Sequence, residues 1–170
     1  MNTAINNFLV YEDGNKYLGI ATVTMPTLTR KTVTSNGSGI AGDIVIPITG
    51  HNEASEITIN FSDSTPAAYT LAEQRVHKLT FKVAHERLDS TEAWLKYFGD
   101  TYYMEVVPAS ENGGTLAPAA QQGVSGTYHL YVYKHWHDGE LVRDWEPLNF
   151  VDKDSSGVDR LAEIRSLLGE

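Results

Sequence analysis

The sequence predicts a mainly β fold, a β-sandwich or barrel of about eight strands flanked by one or two α-helices. Apolar and β-branched residues recur in short runs, and most of these runs alternate with a period of two. Clusters of Gly, Pro and Asn separate the runs. This combination is typical of half-buried strands joined by turns. At 170 residues, the chain is expected to form one domain spanning residues 1–170.

Two dipeptides predict hairpins. Asp13-Gly14 separates the first two predicted strands, and Asp138-Gly139 separates the last two. Asp-Gly between strands favours a two-residue turn, because both positions tolerate positive φ. The predicted strands cover residues 8–11, 16–25, 43–48, 57–61, 79–84, 102–107, 128–134 and 140–146.

The glycine-rich segment before the third strand matches the spacing G-x-G-x-x-G at Gly37, Gly39 and Gly42. A dinucleotide fingerprint requires a preceding strand and a helix that begins at the last glycine. Here a strand follows, with Ile44, Ile46 and Ile48 on one face, and Pro47 in it indicates an edge or a bulge. The segment is therefore predicted to be a loop between strands, and no cofactor is expected.

Helical signals are fewer. Residues 156–168 carry apolar side chains at spacings of three and four, with Ser156 and Asp159 arranged like a capping box and Gly169 just beyond. Thr65 before Pro66 predicts a helix over 66–76, and residues 89–98 suggest a short helical turn. The Gly/Pro-rich stretch 108–126 lacks periodicity and is predicted to be a long loop.

Composition excludes several classes of function. The chain has no cysteine, which rules out disulfides and thiolate chemistry, and its formal charge of −9 opposes ordinary nucleic-acid binding. Residues 1–7 lack the features of a signal peptide, and no run approaches the length of a membrane span.

Three candidate chemical sites are weak. His135 and His137 could form a metal-binding pair near His129, but no third ligand is placed, so metal stays a minor alternative to a polar aromatic face. Ser, His and Asp lack a framing motif, so no catalytic residues are predicted. Three tryptophans could stack on a sugar, although core positions are favoured for them: Trp94, Trp136 and Trp145.

Several ordered segments resemble the major tube protein family of contractile phage tails and R-type pyocins. At the N-terminal end they are YEDGN at 11–15, VTMPTLTRKT at 23–32 and the glycine segment 37–42. At the C-terminal end they are YHLYV at 128–132, DGE at 138–140, GVDRLA at 157–162 and IRSLLG at 164–169. The set, in this order, is more specific than any one of its motifs.

The resemblance implies a structural subunit, not an enzyme, that stacks as sixfold rings around a hollow lumen. It implies self-assembly, contacts with sheath, baseplate and tape-measure proteins, and DNA that passes through without specific binding. Six copies at −9 each carry −54 per ring, which would limit adhesion of a phosphate polymer. The implied location is the virion tail or a tail-like particle, assembled in the host bacterial cytoplasm.

The resemblance also indicates which segments lie between subunits: the N-terminal segment and the region 37–52. Glycines there would allow close backbone approach to a neighbour. The expected inter-subunit contacts are Gly37, Gly39, Ile40, Gly42, Ile44, Pro47 and Asn52.

Two other functional classes remain open from the residues alone. A sugar-binding β-sandwich is compatible with the acidic composition and the Trp and Tyr content. A β-barrel hydrolase would need a perturbed acid or nucleophile in a cleft. Self-assembly without ligand would favour the tube subunit over the sugar-binding module.

Overall fold

The computed structural model describes residues 3–19 and 22–169. Strands dominate, as the sequence predicts. They are β1 (Thr3–Glu12), β2 (Lys16–Tyr17), β3 (Thr22–Thr24), β4 (Arg30–Ser35), β5 (Ile44–Asn52), β6 (Glu56–Asn60), β7 (His77–Asp89), β8 (Trp94–Asn112), β9 (Ser125–His137), β10 (Glu140–Glu146) and β11 (Val151–Lys153). The helices are α1 (Pro66–Leu71), a 3-10 turn (Pro147–Asn149) and α2 (Ala162–Leu168).

Every predicted strand has a counterpart, and the described residues contain three more strands than predicted. The strand predicted at 16–25 is two separate strands, β2 and β3, and positions 20–21 of that prediction lie outside the described residues. β4 and β11 were not predicted. β4 reads RKTVTS and β11 only VDK, so neither shows a recognisable apolar alternation.

The main sheet is antiparallel and has the strand order β11-β10-β9-β8-β7-β1-β2. It branches at β9, because β6 pairs with the first half of β9 on the edge where β10 pairs with the second half. β3 extends the β6 branch. β4 and β5 pair only with each other and form a separate two-stranded sheet, here called the β4–β5 hairpin.

Both predicted Asp-Gly hairpins are present. Asp13 and Gly14 have φ of 53° and 82°, and Tyr11 pairs with Tyr17 across the turn. Asp138 and Gly139 have φ of 49° and 84°, which places both in the left-handed region that a tight hairpin turn needs.

The predicted helical turn at 89–98 is wrong. β7 and β8 instead form one long hairpin that pairs from His77 with Val106 to Asp89 with Trp94. The Lys96 ammonium contacts the Asp89 carboxylate across its end. Cross-strand pairing of this length outweighs the local helix signal in STEAW.

One apolar core lies between the two branches of the sheet and α1. Ile57 and Ile59 of β6 are fully buried, as the alternation predicts, and belong to one cluster with Leu79 of β7 and Met104 of β8 in the main branch of the sheet. Leu71 of α1 is also fully buried. Burial of each such side chain contributes on the order of 2 kcal/mol to the free energy of unfolding, so truncation of any of them should destabilise the fold.

Both helices are shorter than predicted. α1 ends at Leu71 because β7 begins at His77, and α2 begins only at Ala162. The predicted capping box does not form: the Asp159 carboxylate accepts the amides of Asp152 at 3.2 Å and Leu161 at 3.1 Å. These bonds hold residues 152–161 as a turn. Gly169 does end α2, with φ of 85°.

The loop predicted at 108–126 is shorter in the structure, since β8 continues to Asn112 and β9 begins at Ser125. Hydrogen bonds across the intervening residues include those from Thr115 N to Gln122 O at 2.9 Å and from Gln122 Nε2 to Gly113 O at 2.7 Å. No helix in the described residues is long and apolar enough to span a bilayer.

Candidate assembly surface

The β4–β5 hairpin exposes apolar side chains that the rest of the described chain does not cover. Val33 pairs with Ile46 and Ser35 pairs with Ile44, so these side chains share one face with Ile48. Their exposed fractions are 52% for Val33, 51% for Ile44, 50% for Ile46 and 38% for Ile48. We call Val33, Ile44, Ile46 and Ile48 the apolar face of the hairpin.

The opposite face of the hairpin is also open. It carries Thr32 beside Pro47 and Thr34 beside Val45, and Val45 is 58% exposed. The prediction that Ile44, Ile46 and Ile48 share a face is confirmed, but the inference that this strand is half-buried is wrong. A contiguous exposed apolar patch on a soluble chain commonly marks an interaction site.

The glycine-rich segment forms the turn of this hairpin and is not followed by a helix, as predicted. Gly39 and Gly42 have φ of 92° and 136°, a region that other residues rarely adopt. Ile40 donates its amide to Gly37 O at 3.1 Å. A Cβ added at Gly37, Gly39 or Gly42 meets no atom within 4 Å, so within the chain these glycines serve the turn geometry.

Pro47 lies where the sequence predicts an irregular edge. Pro47 pairs with Thr32 across the hairpin. The register of β4 against β5 shifts just beyond this pair, so that Arg30 pairs with Asn52. Both outer edges of the two-stranded hairpin lack a partner strand among the described residues. The seven predicted contact residues therefore lie in one hairpin: Gly37, Gly39, Ile40 and Gly42 in its turn, and Ile44, Pro47 and Asn52 in β5.

The base of the hairpin is fixed to the main sheet. Gly50 has φ of 73°, and a Cβ there would lie 2.5 Å from Leu161 Cδ2, so Leu161 packs directly on its backbone. Trp145 Nε1 donates to Gly50 O at 3.4 Å. Glu53 N also donates to Thr29 O at 2.7 Å. These contacts orient the hairpin. No local pattern predicts the contacts of Gly50 with Trp145 and Leu161, because these residues are far apart in the chain.

A charged cleft of about 260 Å³ lies beside this base, between β5, β10 and the turn before α2. Arg143 Nη1 lies 2.5 Å from Asp152 Oδ1, and Arg160 Nη2 lies 2.6 Å from Asp154 Oδ2. Hydrogen bonds from Ser156 and Arg160 lower the pKa of Asp154 to about 2. Asp152 thus ties β11 to β10, and Asp154 holds the turn before α2 together.

A buried ionic cluster joins β1 to β7 on the other side of the core. Glu12 is 1% exposed, with Oε1 2.7 Å from His77 Nδ1 and 2.6 Å from Arg75 Nη2. Burial raises the pKa of Glu12, but the hydrogen bonds from His77 and Arg75 outweigh it and lower the pKa overall. Alternation along β1 would place Glu12 on the core face, yet no sequence pattern identifies its partners.

His135 and His137 do share one side of β9, as predicted, and both face the buried Asp100 of β8. His137 Nδ1 lies 2.6 Å from Asp100 Oδ1, and His85 Nε2 lies 3.1 Å from Oδ2. His135 stacks on Tyr102 with ring centroids 4.1 Å apart, while His129 lies apart, near Glu56. Within residues 3–19 and 22–169, no group of three potential ligands is arranged to hold a metal ion.

The sequence favours core positions for the three tryptophans, and only Trp145 among them is in the buried core. Trp145 is 5% exposed, whereas Trp94 is 69% exposed at the end of the β7–β8 hairpin. Trp94 follows directly on the turn, so nothing in the described chain packs over it. Trp136 is partly buried.

The family profile of the phage tail tube protein FII matches residues 2–169, which is nearly the whole chain. The chain belongs to the phage tail tube family. It is a structural subunit of a tail tube, as the ordered motifs indicate. No curated protein sequence matches the chain.

One solved structure shares this fold, and two others are less similar. One chain of an extracellular contractile injection system, in a PVC sheath–tube complex in the extended state, matches with a TM-score of 0.51 at 12% identity, covering 76% of this chain and 88% of that one. A chain of the anti-feeding prophage baseplate has a TM-score of 0.48 at 8% identity, and the match covers 76% of this chain and 90% of that one. An Hcp protein in a crystal structure has a TM-score of 0.41 at 11% identity, and the match covers 84% of this chain and 96% of that one.

Proposed function

We propose that this tail tube subunit assembles into stacked sixfold rings through the β4–β5 hairpin. The observation that carries the proposal is the exposed apolar face of a hairpin in a chain that belongs to a tube-forming family. Complete burial of one such side chain is worth roughly 1.5–3 kcal/mol, so contact with a neighbouring copy would supply substantial association energy. Gly37, Gly39, Ile40, Gly42, Ile44, Pro47 and Asn52 are the proposed inter-subunit contacts.

A hairpin that reaches from one copy to a different patch on the next makes a heterologous contact. Such contacts generate closed rings or open stacks, whereas a self-complementary patch stops at a dimer. Contact would also cover the unpaired edges of β4 and β5, which are otherwise open to uncontrolled pairing. Both consequences suit a subunit whose role is to build a polymer.

The proposed tube is a non-enzymatic conduit carried in the virion tail or a tail-like particle and assembled in the host bacterial cytoplasm. Its further partners are the sheath, baseplate and tape-measure proteins. The formal charge of −9 per copy supports a lumen through which DNA passes without specific binding. Headless particles would use the same conduit to pierce a target envelope.

Negative-stain electron microscopy of the purified protein at high concentration, with its mass in solution, tests the assembly. Open sixfold rings or tubes are expected, either spontaneously or on addition of tail baseplates as seeds. A monomer that persists with such seeds would contradict the proposal.

The role of the hairpin is tested by the double variant Ile44→Ser and Ile46→Ser. Both side chains are exposed in the single chain, so the fold should remain, while rings and tubes should be lost. Leu88→Ser with Leu148→Ser is the matched control, since these leucines are 51% and 83% exposed elsewhere on the molecule. Equal assembly of the hairpin variant and the control would show that the hairpin is not the contact.

A further inference from the structure

The apolar face of the hairpin needs a complementary surface, and the outer face of the main sheet offers one. Ala84 of β7 lies directly opposite Gly99 of β8 and beside Asn7 of β1. Three small or short side chains in a row leave a depression across the sheet. Leu9 and Tyr97 form its walls, and its volume is about 700 Å³. Among the described residues, its lining also includes the acidic Asp100 and Asp138, beside Lys82 as the one cation. We call this depression, which is lined on the outer face by Asn7, Leu9, Lys82, Ala84, Tyr97 and Gly99, the sheet groove.

The groove is open and apolar enough to receive aliphatic side chains. Leu9 is 38% exposed and Tyr97 is 68% exposed, so both offer apolar surface to a partner. Gly99 and Ala84 let that partner approach the backbone of the sheet closely. Aliphatic side chains such as Ile44 and Ile46 fit a depression of this kind better than charged ones.

The groove also opens onto a free edge of the sheet. β2 covers β1 only at Tyr11 and Glu12, and Leu18 N donates to Val10 O at 3.0 Å. From Thr3 to Leu9, no strand among the described residues pairs with the outer side of β1. A hairpin that lies in the groove would also cover this edge and shield its free main-chain groups from other strands.

Charge indicates the orientation of the hairpin. Lys82 in the groove makes no salt bridge within the described residues, and its ammonium lies 5.7 Å from the centre of the Tyr11 ring. Asp43, the residue before β5, is exposed, and it makes no salt bridge with a cationic side chain that the structure describes. Asp43 and Ile44 are adjacent, so Asp43 can reach Lys82 when the apolar face enters the groove.

We propose that the sheet groove of one copy receives the β4–β5 hairpin of a second copy, with Asp43 placed against Lys82. This inference rests on the proposed assembly through the hairpin and adds the surface that receives it. The two patches are different parts of one chain, so each copy can donate a hairpin and accept another. The contact is therefore heterologous and propagates from copy to copy.

A charge exchange tests the pairing in the full-length chain. Lys82→Glu alone and Asp43→Lys alone each place like charges together, and each should raise the protein concentration needed for rings or tubes at least about tenfold. The double variant Lys82→Glu with Asp43→Lys restores opposite charges and should assemble within about threefold of wild type. Circular dichroism checks that each variant remains folded, as expected for exposed positions.

Lys78→Glu is the matched control, because Lys78 is exposed, lies on the same face of β7 and changes the net charge equally. It should alter the assembly concentration less than about twofold. Single variants that assemble like this control would overturn the groove as the docking surface, as would a double variant no better than the singles. Wild-type protein that never assembles would instead overturn the proposed function, so the two failures are distinguishable.

Cross-linking gives a second, independent readout, since the chain contains no cysteine. Ile46→Cys in one copy and Tyr97→Cys in another should form a disulfide dimer when the two proteins are mixed and oxidised. Ile46→Cys mixed with Leu148→Cys, which is exposed elsewhere, should give no such band. Efficient cross-linking of the control pair but not of the first pair would place the hairpin near Leu148 of the neighbouring copy and overturn the groove as its docking surface. Assembled particles in which neither pair cross-links would overturn it as well.

Discussion

β5 and β6 carry the same isoleucine alternation but meet opposite environments. Ile57 and Ile59 of β6 are 0% exposed, whereas Ile44 and Ile46 of β5 are 51% and 50% exposed. β6 lies between β3 and β9 in the main sheet, while β5 pairs only with β4. The alternation thus specifies a strand with an apolar face, and the partner that covers this face can belong to another subunit.

The largest difference between the two strands is expected on truncation of an isoleucine. Ile57→Ala should lower the free energy of unfolding by about 3 kcal/mol, because it leaves a cavity in a packed core. Ile46→Ala should change it by less than about 0.5 kcal/mol in the dissociated chain. Urea unfolding below the assembly concentration measures both, and equal losses would show that the hairpin packs against its own chain.

The polar part of the core sharpens the same contrast. Glu12→Ala leaves His77 buried without its carboxylate partner and should lower the free energy of unfolding by about 3 kcal/mol. Glu56→Ala in β6, whose side chain is 54% exposed beside His129, should cost less than about 0.5 kcal/mol. Thermal unfolding of the two variants at neutral pH compares them directly, and similar losses would mean that the buried cluster contributes no more than a surface pair.

Gly50 connects the two regions, and its substitution should have an intermediate effect. Gly50→Ala adds a Cβ to a residue with φ of 73° and places it 2.5 Å from Leu161 Cδ2. We therefore expect the free energy of unfolding to fall by about 2 kcal/mol. Leu161→Ala relieves the contact, and the double variant should lose less than the sum of the single variants. Strict additivity in urea unfolding would contradict the packing of Leu161 on this glycine.

The smallest expected effect is a pH dependence of the free energy of unfolding that arises from His135 in β9. Burial lowers the pKa of His135 below its ordinary value of 6.5, despite the nearby Asp100 carboxylate. Because the unfolded chain then binds the proton more readily, His135 contributes stability above pH 6.5 that is lost as the pH falls toward the folded-state pKa.

Thermal melts between pH 7.5 and 5 measure this contribution, with His135→Gln expected to flatten the profile over that range. His129→Gln is the control on the same strand, since the His129 side chain is 50% exposed. Identical profiles for the two variants would show that the burial of His135 does not affect stability.

Local patterns in the sequence predict the strands and hairpins well, because the information lies within a few residues. The Asp-Gly turns and the isoleucine rows at 44–48 and 57–61 are examples. β4 was missed since Thr and Ser replace apolar residues in a strand with both faces exposed. The helical turn at 89–98 was wrong because long-range pairing of β7 with β8 decides that segment.

The sequence predicts which segments form the candidate assembly surface, but it does not predict how the hairpin is placed against the main sheet. The glycine segment and β5 are visible in the sequence, and family resemblance indicates them as contacts. Nothing in the sequence shows that the hairpin stands apart from the main sheet, or that Gly50, Trp145 and Leu161 fix its base. Those contacts join positions about a hundred residues apart, a separation that local patterns do not encode.

Hydrogen exchange of backbone amides, compared between dissociated protein and assembled particles, shows whether the β4–β5 hairpin lies between subunits. We expect strong new protection on assembly in β4, β5 and the outer edge of β1, with little change in β6, which is already buried in the single chain. Assembled particles in which the β4–β5 hairpin exchanges as fast as in the dissociated chain would contradict its role as the contact between subunits.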